Sequence, residues 1–439
     1  EVVKYYPEPT SEGVPFTRQN NFFGQGSTDT HGGTGLLKLD HNPSERQRWS
    51  GRFGWSPSRL QEPNLWGGNN FMYPPTEAEK VRRYTAALDY LRILNPATTL
   101  NLRWGVFRYS ERRTTWGENH GLEEFGLKAP VPAQLPPPFS IEGYTTIGND
   151  VSNHLVWGAD FHQLTGSLAK VQGRHTWKAG AEMRPQRMNM GQPGVNRASF
   201  SFSRSITMEN PFRTNSLQGN GLASFLLGWG SGSFMFDSPP AASSTSYALY
   251  FTDDVRVTPR LTLNLGLRYE YDTPYTERYD RLAWFDREVK APIETPRYPD
   301  LRGGLRYTDG SQRTNVDADT NNIAPRFGFA YRIGSHAVIR GGYGIYYGQA
   351  TASPTKFLAT GYTGSVPWIS SLDSNLTLAT PLSNPFPYGI TPPPGRTKGL
   401  STYVGGSLST NGQQIRSWAV KPYFQQWSLS VQRELPLNS

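Results

Sequence analysis

The chain has 439 residues and no cysteine. Zinc–thiolate sites, iron–sulfur clusters, disulfides and a thiol nucleophile are therefore excluded. No run of about 18 apolar residues occurs, so no helix of it can cross a bilayer. No charged start followed by an apolar stretch marks a secretory signal. The opening "EVVKYYPEPT" reads as the start of a processed or truncated chain. Hydrophobic residues make up only 36%, too few for an all-buried helical bundle. No G-x-S-x-G elbow is present and no Ser, His and Asp set stands in a nucleophile context, so no enzyme and no catalytic residue is expected. "DADTNN" (317–322) has the spacing of calcium ligands but lacks the glycine and closing glutamate of an EF-hand loop. "RGGYGIYYG" (340–348) lacks G-x-G-x-x-G spacing. Neither a metal nor a cofactor is expected. Lys and Arg (44) outnumber Asp and Glu (35), for a net charge of +9. They are dispersed, which argues against nucleic acid. Attraction to an anionic surface such as lipopolysaccharide suits the same charge.

Aromatics reach 13%, with 45 Gly and 35 Pro. That profile favours strands joined by turns and long loops. The clearest strand is "TPRLTLNLGLRYEYD" (258–272). Leu261, Leu263, Leu265, Leu267, Tyr269 and Tyr271 take one face; Thr262, Asn264, Gly266, Arg268 and Glu270 take the other. The same two-residue period runs through 98–109, 154–162, 175–184, 322–333, 337–347 and 424–434. Weaker candidates are 33–41, 46–56, 79–92, 198–206, 230–237 and 244–257. Several exceed the usual strand length of about five or six residues. Tight turns at 42–45, 95–98, 171–174, 257–260 and 333–336 alternate with long connections at 57–78, 110–150, 273–320 and 348–423. "GLASFLLG" (221–228) interrupts the pattern and reads as a helical turn.

Long strands, sorted loops and strict alternation fit a membrane barrel, which crosses in about nine to eleven residues and has a polar lumen. A soluble sandwich alternates too, with shorter strands. The expected fold is all-β: a partial antiparallel transmembrane β-barrel of about thirteen strands with long extracellular loops. Its unpaired edges are expected near 33–41 and 424–435. Candidate lumen-lining residues are Arg103, Asp160, Lys178, Glu182, Arg268, Glu270, Arg326, Arg332 and Arg340. Aromatics at strand ends, Phe107 and Tyr109, Tyr269 and Tyr271, Tyr346 and Tyr347, read as an interfacial girdle. In the long loops, Tyr144, Trp284 and Trp368 stand beside polar groups and are candidate ligand contacts. The competing reading is that loop aromatics pack against each other.

Three segments carry a resemblance: "YFTDDVRVTPRLTLNLGLRYEYDTPY" (250–275), "NNIAPRFGFAYRIGSHAVIRGGYGIYYG" (321–348) and "FQQWSLSVQRELP" (424–436). They resemble TonB-dependent outer-membrane receptors, in particular the large subgroup with a carboxypeptidase-regulatory-like domain before the plug. The resemblance implies a barrel of about twenty-two strands around a plug. It also implies energy from an inner-membrane TonB complex and an imported ligand: a siderophore, glycan, peptide or protein. This sequence shows no TonB box, plug or regulatory-like domain. Residues 1–439 therefore read as a partial receptor barrel in the outer membrane, touching its lipid and lipopolysaccharide. A β-rich cell-surface adhesin or glycan-binding protein is the alternative, and a passive porin a third reading.

Overall fold

In the computed structural model, which describes residues 2–127, 135–149, 153–191, 196–210, 212, 217–236, 238–348, 361–402 and 421–434, the alternating segments join edge to edge. The first strands are β1 (Asp29–Gly32), β2 (Gly35–Ser44), β3 (Gln47–Gln61), β4 (Thr76–Asn95), β5 (Thr98–Thr115) and β6 (Phe139–Ile141). Next come β7 (Leu155–Gln172), β8 (His175–Gly191), β9 (Asn196–Phe202), β10 (Ser231–Phe236), β11 (Ala241–Thr258) and β12 (Leu261–Asp272). The rest are β13 (Thr276–Glu277), β14 (Ala283–Lys290), β15 (Arg302–Tyr307), β16 (Asn322–Ile333), β17 (Ala337–Tyr347), β18 (Gly364–Trp368) and β19 (Tyr423–Arg433). Thirteen form one sheet in the order β1-β3-β4-β5-β7-β8-β11-β12-β16-β17-β19, with β2 also on β3 and β13 on β11. Every long neighbour pair is antiparallel. Two expected wall strands are absent from it. Residues 198–206 and 230–237 supply β9 and β10 of a separate sheet, β18-β10-β9-β6.

Short hairpins lie at one end of the large sheet. Thr258 Oγ1 accepts from the backbone N–H of Arg260 (3.2 Å) and Leu261 (3.0 Å), closing the β11–β12 turn. Gly173 (φ 61°) and Gly334 (φ 60°) take the left-handed positions of the β7–β8 and β16–β17 turns, where a Cβ would be strained.

Residues paired across a ladder share a face. Leu263, Leu265 and Leu267 thus lie with Phe251 on β11 and with Phe327 and Phe329 on β16. Followed through every register, this outer face carries Leu249 (61% exposed), Leu164 (53%) and Leu429 (74%). A soluble sheet would bury such a face; here the exposed face is the apolar one.

The apolar core sits instead beyond the sheet, at the loop end. Phe139, Phe200, Phe202, Phe234, Phe225, Trp368 and Phe386 cluster there with Met72, Leu122 and Phe125. The small sheet and helix α1 (Gly221–Leu226) build this canopy. Asn220 caps α1, its Oδ1 accepting from Leu222 (2.8 Å) and Ala223 (3.3 Å), which confirms the helical turn expected there.

Among the described residues β2 pairs only with β3, and β19 only with β17. The sheet is therefore open, with its long edges where the sequence placed them. Hydrogen exchange in detergent tests this. Outward-directed amides of β2 and β19 should exchange at least ~100-fold faster than those of central β5. Equal protection on β5 and β19 would mean that the edges are paired.

Candidate functional site

The face opposite the leucines is polar and opens onto a concavity of about 550 Å³. Arg52, Thr85, Arg103, Gln163, Arg184 and Gln186 line it. Eight of the nine candidate lumen residues share this inner face by register: Arg103, Lys178, Glu182, Arg268, Glu270, Arg326, Arg332 and Arg340. They do not form one site. Arg103 makes a close ion pair with Asp89 of β4. Lys178 lies between Ala169 and Thr252, toward the turn end. Arg326 stands over the Tyr346 ring at 4.6 Å. Arg340 donates to Gln432 at 2.8 Å, and Arg332 pairs with Val338 near the β16–β17 turn.

Glu182, Arg268 and Glu270 do come together. Arg268 donates through Nε to Glu270 (2.7 Å) and through Nη2 to Glu182 (2.9 Å). Gln163 donates to Glu182 at 2.7 Å. Lys421, whose side chain is 5% exposed, donates to Glu270 at 2.6 Å and lies 3.1 Å from Asp272. Its backbone N–H donates to Asp319 at 2.9 Å. The cluster joins three strands to the segment entering β19. It can hold fixed charge on the concave polar face and has no nucleophile and base in a reactive pair. Asp272 was legible, since it continues the Arg268–Glu270 phase of β12. Lys421 was not, because nothing local links it to a strand 151 residues away.

Asp160 does not belong with them. Its ladder partners are Arg108 and Arg187, on the leucine face, and its carboxylate lies 3.3 Å from Arg108. The face assignment of 154–162 is thereby reversed: Trp157, Ala159 and Phe161 point inward. So do Phe107 and Tyr109, and Tyr346, which removes them from the outer girdle. The cause is the length of these strands. β5 and β7 run 18 residues each, beyond the roughly nine to eleven that cross a bilayer. Above the hydrocarbon the outer side meets headgroups and water, while the inner side meets the loops. Polarity therefore inverts, and Tyr109 packs edge-on against Trp157 at 5.2 Å. His162 lies outward beside Trp104, ring centroids 6.5 Å apart.

The three loop aromatics divide. Trp368 (4% exposed) and Trp284 (7%) are buried rather than presented at the surface, although Trp284 borders a concavity of about 900 Å³ with Asp286 and Arg306. Trp368 Nε1 donates to Thr380 at 3.0 Å, and its ring meets Phe200 edge-on at 5.6 Å. Tyr144 is 46% exposed. It stands 6.4 Å from Tyr6, whose phenol is pushed up to about 12 by burial, with Tyr144 adding to the effect.

Two expectations follow. Trp368→Ala should cost the canopy ~3–5 kcal/mol through the cavity it leaves, while Tyr144→Ala should cost under ~1 kcal/mol. Limited proteolysis of the loops, with β-sheet circular dichroism unchanged, reads the difference. Asp373 accepts from the Thr377 hydroxyl (2.6 Å) and N–H (2.8 Å), from the Ser371 hydroxyl (2.7 Å) and from the Leu376 N–H (3.1 Å). These bonds, Thr377's first, hold its pKa at about 2, below the ordinary 3.8. A depressed carboxylate stabilises the fold above its unfolded pKa. The 371–377 turn should therefore hold above about pH 4 and loosen as pH falls through about 2. Protease nicking at this turn should show that step, and Asp373→Asn should abolish it.

A polar concave face backed by an exposed apolar face defines the wall of a β-barrel that sits in lipid. The family described as "Outer membrane beta barrel domain" matches residues 1–439. The chain belongs to that family and is a protein of the bacterial outer membrane. Comparison with curated proteins finds no match. Among solved structures it is similar to the outer membrane transporter YddB from Escherichia coli, at 14% identity and TM-score 0.39, over 74% of this chain and 41% of that one. It is also similar to the ferric yersiniabactin uptake receptor FyuA from Yersinia pestis, at 11% identity and TM-score 0.36, over 72% of this chain and 38% of that one. The chain thus spans about two-fifths of the length of these two proteins.

Proposed function

We propose that this chain is one arc of the barrel wall, with its loop canopy, of a TonB-dependent uptake receptor. The observation that carries the reading is the charged inner face, centred on Arg268 between Glu182 and Glu270 and roofed at one end by folded loops. Further strands would complete the wall: the open ladders at β2 and β19 cannot remain unpaired in hydrocarbon, where each bare backbone group costs several kcal/mol. A plug, a TonB box and the TonB complex would act through sequence outside this arc. The canopy would meet the ligand first, with Tyr144 as its exposed aromatic. Paired charges along the wall would keep a wet passage beside the plug without trapping one sign of ligand.

Uptake by cells making the receptor that contains this arc tests the reading. The probes are labelled ferric chelates, oligosaccharides and peptides. At least one should accumulate, and collapse of the proton-motive force should abolish its entry but not its surface binding. Lys421→Met, which leaves Glu270 and Asp272 without their shared cation, should slow entry roughly tenfold. Entry indifferent to the uncoupler would make the protein a passive porin. A chain that stays monomeric and soluble without detergent would overturn the barrel reading altogether.

A further inference from the structure

The long connection from β18 to β19 carries a short hairpin that the wall does not use. Ala379 N–H closes it on the Ser370 carbonyl at 2.7 Å. None of residues 371–378 belongs to the canopy core. Inside the hairpin Asp373 accepts from the Thr377 hydroxyl at 2.6 Å and from the Thr377 N–H at 2.8 Å. Ser374 (φ 61°) and Asn375 (φ 67°) form its apex, with the two positive φ values of a type I′ turn. Such positions favour glycine, and asparagine is among the few other residues that tolerate them. The Asn375 N–H donates to Ser371 Oγ at 3.0 Å, and its carboxamide makes no hydrogen bond among the described residues.

Asn375, Leu376 and Thr377 spell Asn-x-Ser/Thr, the acceptor pattern for attaching a glycan to nitrogen. Elsewhere in the sequence one asparagine stands two residues before Ser or Thr: Asn42, where Pro43 bars the pattern. The hairpin is also apolar for a loop segment. Leu372 is 84% exposed, Leu376 58% and Ile369 52%. Leu372 and Leu376 flank the apex on either side of Asn375. A sugar ring offers C–H faces between its hydroxyls. An oligosaccharide rooted at Asn375 therefore covers these leucines and keeps its polar edge in water, as a bulky, solubilising surface group does.

We infer that Asn375 is a glycosylation site, modified while the unfolded chain crosses the periplasm. The donor is an oligosaccharide on a lipid diphosphate, handled by a transferase. The carboxamide nitrogen of Asn375 bonds to C1 of the sugar. The C1–O bond to the diphosphate breaks, and the lipid diphosphate leaves with the electron pair. One amide proton passes to a base of the transferase. The hairpin itself sets the timing. The acceptor pattern requires a hydroxyl two residues after the asparagine, and in the fold that hydroxyl is already bonded to Asp373. Transfer therefore precedes closure of the turn. It requires only that the chain pass to the outer membrane, whatever the barrel imports.

For the test, the receptor that contains this arc is made in bacteria carrying a periplasmic oligosaccharyltransferase and its lipid-linked donor. A secreted acceptor protein in the same cells serves as control. Trypsin releases residues 357–396 as one peptide with Asn375 inside it. Mass spectrometry should find that peptide heavier by one oligosaccharide, and Asn375→Gln and Thr377→Ala should each lose the increment. If either variant fails to reach the membrane, the wild-type peptide decides alone. A bare wild-type peptide in cells whose control is glycosylated would overturn the site, and so would an increment that survives Asn375→Gln. Purified folded receptor given transferase and donor should stay bare, whereas a synthetic peptide of residues 369–380 should be modified. Folded receptor modified as fast as the peptide would refute transfer before folding.

Discussion

Backbone amides and carbonyls in hydrocarbon have no water to bond. That constraint explains why eleven strands of ten residues or more form one continuous antiparallel ladder. Its irregularities respect the same limit. The register shifts between long strands fall at His41/Ser44, Thr76/Ala78, Ile93/Asn95 and Arg256/Thr258. Each is at a strand end, where water or a turn can take up a displaced amide. With pairing complete in the middle, side chains are released from any duty to the backbone. They can then sort by face, leucine toward lipid and arginine toward the concavity.

That sorting is why so much of the wall was legible. A one-residue slip would exchange the faces, so β12 keeps its phase from Leu261 to Asp272 and advertises it in sequence. Hairpin turns were equally plain, because Asn-Pro, Gly and Thr-Pro at the tight ends have fixed backbone roles. Reading failed where the phase is constant but its environment changes. β7 alternates throughout, yet Trp157 and Phe161 point inward whereas Leu164 and Leu168 point outward. Alternation reports a period, not which side is wet. Within the bilayer the wet side is the inside; above it, the outside.

The canopy was the least legible part, for a different reason. β9 alternates Phe with Ser, and β10 sets Phe234 and Phe236 two residues apart, so both imitate membrane strands. At seven and six residues they are too short to cross, and their phenylalanines bury against one another and Trp368. Its core draws on residues as distant as Met72 and Phe386. No local pattern announces contacts of that separation, and Trp368 in particular reads as a surface aromatic because Ser370 and Ser371 follow it in a long loop.

Charge follows the same division of environments. On the inner face, cations find carboxylates nearby: Arg103 with Asp89 and Arg113 with Glu79 on the adjacent strand, Arg113 with Glu111 and Arg268 with Glu270 along the same strand, and Arg268 with Glu182 two strands away. Such pairing lets a wall hold many charges near a narrow polar space without a strong net field. On the outer face the leucine band holds little charge besides Asp253, which lies 2.7 Å from His175, and cations collect beyond it, at the loop end. The net +9 of the chain is thus not spread evenly over the sheet. The inner face balances much of its own charge, whereas Lys80 and Arg82 stand at the loop end of the outer face with no carboxylate across their ladders.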